Sequence, residues 1–131
     1  MEERLGHRRP LGIALAVSLA GAALVGGCDR QPKGIPVPGG DPDRGKVAIA
    51  DYGCGACHVI PGIRGAHGMV GPPLTQFARR AYIAGEAPNT TRALVQWISA
   101  PQSIEPGTAM PNLDISDARA RDIAAYLYTL R

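Results

Sequence analysis

Apolar and polar positions divide this chain into unlike stretches. Leu11–Val25 is a continuous run without a charge, set behind the basic residues Arg4, Arg8 and Arg9. Beyond Asp41 the apolar residues recur at helical spacing instead, in four segments. The first opens with Asp41 as N-cap and Pro42 at the first helical position, and runs through Lys46, Val47 and Ala50 toward Tyr52, where Gly53 ends it. A second helix is predicted over residues 74–84, from Leu74 through Phe77 to Ile83, stopped by Gly85. A third starts at Asn89 or Thr90, carries Leu94, Trp97 and Ile98 on one face, and stops at Pro101. Ser116 caps the last, Asp117 suits its positive end, and Ile123, Tyr126, Leu127 and Leu130 form its stripe. The pattern predicts one all-α domain over residues 41–131, without an internal repeat.

The apolar run has its own meaning. Fifteen residues are few for a membrane-spanning helix, but they suit the hydrophobic region of an export signal with a basic front end. It leads into Val25-Gly26-Gly27-Cys28, which resembles the lipobox of bacterial lipoproteins, in which Cys28 would carry the lipid after cleavage. An ordinary secretory signal and an uncleaved anchor are the alternatives. Arg8-Arg9 matches a twin-arginine signal poorly and reads as plain positive charge. Residues 28–40 are rich in proline and glycine without apolar periodicity, the composition of a tether. The expected organisation is a signal over 1–27, a lipid-anchored tether over 28–40 and a domain over 41–131.

Charge narrows the function. Without the signal the chain is nearly balanced, which argues against a nucleic-acid partner, since that needs a basic excess or stripe. The predicted domain has little bulk: Phe77, Trp97 and four tyrosines are its aromatics, among many Ala and Gly. A domain this small is marginal on a hydrophobic core alone, so a large apolar cofactor would resolve the shortage.

Cys54-Gly55-Ala56-Cys57-His58 supplies a candidate. Two thiols at this spacing can each add across one vinyl group of a haem, with the adjacent imidazole under the iron. The small Gly55 and Ala56 suit a gap that runs against the porphyrin edge. Three other uses compete. A redox dithiol expects a βαβ context that the pattern lacks. A zinc site from Cys54, Cys57, His58 and His67 would crowd its ligands into a short segment. A disulfide across two residues is strained and staples little.

Further motifs follow. Gly71-Pro72-Pro73-Leu74 lies beyond His58, and Thr108-Ala109-Met110-Pro111 lies in a long loop before the last helix. With the Cys-x-x-Cys-His motif and the C-terminal amphipathic helix, residues 41–131 resemble the class I, mono-haem cytochrome c family. The resemblance implies a cytochrome c-like helical domain wrapped around one covalent haem c. It implies that Cys54 and Cys57 attach the haem, that His58 and Met110 are the iron ligands, and that the Pro72 carbonyl accepts from the His58 ring. It also implies a close crossing of the first and last helices, with Gly45 and Tyr126 as candidates, and a haem propionate for the Trp97 indole, although an ordinary core Trp fits as well. Met69 and His67 are rivals to Met110 as distal ligand. Residues 59–71 depart from the family pattern, being longer and richer in glycine than a minimal connection requires.

The function implied is electron transfer, with no catalytic acid–base pair legible and hence no enzyme expected. Expected partners are redox proteins: respiratory complexes, a terminal oxidase or a periplasmic dehydrogenase. The Cys28 lipid would hold the chain on the periplasmic side of the bacterial inner membrane. A small haem enzyme or gas sensor with a labile Met110, and a fixed haem subunit of a larger complex, are the alternatives. Arg64, Arg79 and Arg80 would form a weakly basic rim, or a solvated face. With Cys28 lipidated and Cys54 and Cys57 on haem, none of the three cysteines is left over.

Overall fold

A computed structural model describes residues 35–131; the segment expected to be an export signal and Cys28 lie outside the described residues. Three helices make the frame: α1 over Pro42–Asp51, α2 over Thr91–Ser99 and α3 over Asp117–Leu127. Each begins where a side-chain oxygen takes up an otherwise unpaired amide of the first turn. Asp41 accepts from the Arg44 N–H at 2.8 Å, Thr90 from Ala93 at 3.2 Å and Ser116 from Arg119 at 3.4 Å. Pro42 starts α1, and Gly53, at φ 68°, turns the chain out of it.

Helices α1 and α2 both pack on α3. A Cβ at Gly45 would collide with the Asp122 carbonyl, so the α1–α3 crossing brings backbone against backbone. Of the two candidates for that crossing, Gly45 stands at its closest point. Gly45 faces the main chain of Asp122 and Ile123, while the Tyr126 hydroxyl donates to the Pro61 carbonyl at 2.7 Å. Ile49, Leu94, Ile123 and Tyr128 lie in the buried core.

The helix predicted over 74–84 does not form. Gln76, at φ 53°, leads into a single 3-10 turn over Phe77–Arg79, and a short antiparallel hairpin pairs Tyr82–Ile83 (β1) with Ala87–Pro88 (β2). The reason lies in where the backbone groups bond. Ala78 N–H, which a helix over this stretch would direct at Leu74, donates instead to the Leu130 carbonyl at 2.9 Å. Asn89 Nδ2 takes the carbonyls of Phe77 and Arg80 at 3.2 and 3.0 Å, while Tyr128 donates to its Oδ1 at 3.0 Å. Tertiary partners replace the local i→i−4 bonds that periodicity alone predicts. The fold is otherwise the expected one, mostly helical with little strand.

Candidate functional site

The Cys54–Ala56 segment forms one tight 3-10 turn directly after Gly53. Cys57 and His58 N–H groups both donate to the Cys54 carbonyl, at 3.2 and 3.0 Å, which gathers the two thiols and the imidazole into one short turn. His58 Nδ1 lies 2.8 Å from the Pro72 carbonyl. A carbonyl only accepts, so Nδ1 carries the proton and Nε2 keeps its lone pair for a metal. A Cβ at Gly71 would strike the same ring, so glycine there lets the chain pass against the imidazole.

Cys54, Cys57 and His58 line a cavity of about 640 Å³. Its walls are largely apolar, with Ile49, Phe77, Leu94, Trp97 and Ile98 among them. The loop before α3 adds Thr108, Met110 and Pro111. That loop is held in place from both sides of Met110: Gln102 Nε2 donates to the Met110 carbonyl at 2.9 Å, and Met110 N–H donates to Thr108 Oγ1 at 3.1 Å. The rivals stand elsewhere: Met69 is 89 % exposed, and neither it nor His67 lines the cavity. Among the described residues no three His, Cys, Asp or Glu side chains gather as a metal site.

Two charged residues line the cavity, Arg80 and Glu105. Arg80 belongs to the wall rather than to an outer basic rim: its guanidinium donates to the Pro73 carbonyl and lies 5.3 Å over the Phe77 ring. Glu105 accepts from the Gly107 N–H at 2.9 Å. Burial pushes the Cys54 thiol above its ordinary value. The roles of Gln102 and Asn89 left no local signal in the sequence, because each acts on carbonyls eight or more residues away.

A helical frame, an apolar cavity, and two cysteines with an imidazole on its wall define a haem-binding helical domain. The cytochrome c family model matches residues 42–131, and the chain belongs to the cytochrome c family. A solved structure, cytochrome c2 from Rhodobacter sphaeroides, is similar at 21 % identity over 70 % of this chain and 96 % of that one, with a TM-score of 0.49. No curated protein matches the sequence. Membership implies covalently bound haem c with its iron, and the residues present fit that group. Cys54 and Cys57 are not joined in a disulfide and face the same apolar cavity as His58, whose Nε2 is free to bind.

Proposed function

We infer that the chain is a one-electron carrier rather than an enzyme, with haem held by thioethers to Cys54 and Cys57 and the iron bound by His58 and Met110. One observation carries this reading: His58 and Met110 line a single cavity, while Met69 and His67 lie outside it. The bound haem supplies the Fe(II)/Fe(III) couple by which one electron is taken from a donor and passed to an acceptor. The chain's residues set the conditions for it. The Pro72 carbonyl orients the His58 ring and strengthens its Nε2 as a donor. The hydrogen bonds from Gln102 and to Thr108 hold the Met110 backbone, which would present its thioether to the iron. With His58 and Met110 both given to the iron, small oxidants would find no open site, and a soft, neutral Met beside His would raise the potential.

The test is Met110→Ala. The haem stays attached, the potential falls, the red-edge sulfur-to-iron band disappears, and azide or imidazole binds in the opened position. An unchanged spectrum and potential would exclude Met110 as the ligand. Location and partners complete the proposal. Lipidation at Cys28 places the domain on a short tether at the periplasmic face of the inner membrane, serving respiratory complexes, a terminal oxidase or a periplasmic dehydrogenase. The Leu11–Val25 run and the Val25-Gly26-Gly27-Cys28 box support this.

A further inference from the structure

Residues 59–71 fold back over the Cys-x-x-Cys-His turn. Val59 and His67 form a bridge, and Ile60 N–H donates to the Ala66 carbonyl at 3.2 Å, which closes the loop on itself. Its return limb then bonds to the haem-attachment segment. Gly68 N–H donates to Gly55 at 3.0 Å, Gly71 N–H to Cys57 at 2.8 Å and Leu74 N–H to Val59 at 2.8 Å. The glycines allow this approach. A Cβ at Gly55 would lie 2.8 Å from Ala66, one at Gly68 would overlap the Ala56 carbonyl, and one at Gly71 would overlap the His58 ring. The extra length is therefore a strap that grips the segment bearing His58.

The strap is fixed at its other end by α3. Tyr126 Oη donates to the Pro61 carbonyl at 2.7 Å. Gly62, at φ 78°, follows directly, and a Cβ there would overlap the same oxygen. Ile60, Ile63 and Ala66 are buried beneath, so the strap has a packed underside and one side-chain anchor at this corner.

We propose that Tyr126 is a positioning residue for His58, acting through the strap. Its hydroxyl fixes the Pro61–Gly62 corner, the corner sets the return limb, and the limb carries Gly71 against the imidazole and the Pro72 carbonyl onto Nδ1. The inference rests on His58 being an iron ligand. A firm Nδ1–H···O bond makes Nε2 a stronger donor, which favours the oxidised iron; a looser bond raises the potential.

The experiment uses the full-length holoprotein and its Tyr126→Phe variant, which keeps the ring and removes the hydroxyl. Expected is a several-fold faster hydrogen exchange at the His58 Nδ1–H and at the Gly68 and Gly71 amides. Amides in α2 keep their parent rates, and the reduction potential moves upward. Gly62→Ala, which displaces the hydroxyl instead of deleting it, shifts both readouts in the same direction; if it fails to fold, Tyr126→Phe alone decides. Uniformly faster exchange across the domain with an unchanged potential would reduce Tyr126 to a structural contact and overturn the proposal. Failure of the ligation itself shows separately, in the parent protein: the His58 ring protons would then lack the paramagnetic shift of an iron ligand in the oxidised state.

Discussion

Asp122 shows how much one residue can tie together. It is 4 % exposed on α3, accepts from Arg44 Nε and Nη2 at 3.0 and 2.9 Å, and takes the Asp41 N–H at 2.9 Å. Hydrogen bonding from the Arg44 guanidinium holds the carboxyl below its ordinary value, against the opposing effect of burial. A carboxyl with a depressed folded-state pKa stabilises fully above its unfolded value and loses that contribution as pH falls through the lower one. Asp122→Asn is accordingly expected to lower the urea midpoint at neutral pH. It should also lose less on acidification than the parent, as read from urea titrations at neutral pH and in the acid range below the ordinary carboxylate value. The cavity residues Cys54, Cys57, His58 and Met110 were legible because each sits in a short motif. Asp122 was not: its partner Arg44 is 78 residues away, and on helical spacing it reads as an ordinary surface acid.

Elements follow the same division. The starts of α1, α2 and α3 were readable from Asp41, Thr90 and Ser116, since a cap bonds to an amide three residues on. The crossing of α1 and α3 depends on Gly45, whose missing side chain admits the Asp122 carbonyl. Gly45→Ala should cost about 3 kcal/mol, the upper end of the usual range for overpacking, because the obstacle is backbone and cannot rotate away. Chemical denaturation measures it, with Ala50→Gly at an exposed α1 position as a comparison worth about 1 kcal/mol. Segment 74–84 was misread for the opposite reason. Its apolar spacing is helical, but Asn89 and Leu130 claim backbone groups that a helix would need.

At the scale of the whole molecule, the cofactor completes the core. Without it, the largely apolar lining of a cavity of about 640 Å³ would face water rather than a packed partner. The double variant Cys54→Ala, Cys57→Ala is therefore expected to release haem on acid–acetone extraction and to lose cooperative thermal unfolding. A folded, haem-free domain would contradict this account. The proposed anchor gives a second test. Cys28→Ser should move the protein from the membrane to the soluble periplasmic fraction. An intact mass without lipid would leave a soluble carrier.

What the sequence determined by itself is the short-range chemistry: thiol spacing beside an imidazole, helix caps, and a Met-Pro turn in a long loop. These are set by covalent reach across a few residues, so they survive being read in one dimension. Tertiary structure alone decided which distant backbone groups would meet. It put Met110 on the cavity wall with Met69 and His67 outside it, tied Arg44 to Asp122, and replaced a helix with a hairpin after Phe77. It also turned the glycine-rich loop 59–71 into a strap held by Tyr126. Each of those outcomes depends on closing a long loop against the entropy of the chain, and on satisfying every buried polar group once it is closed.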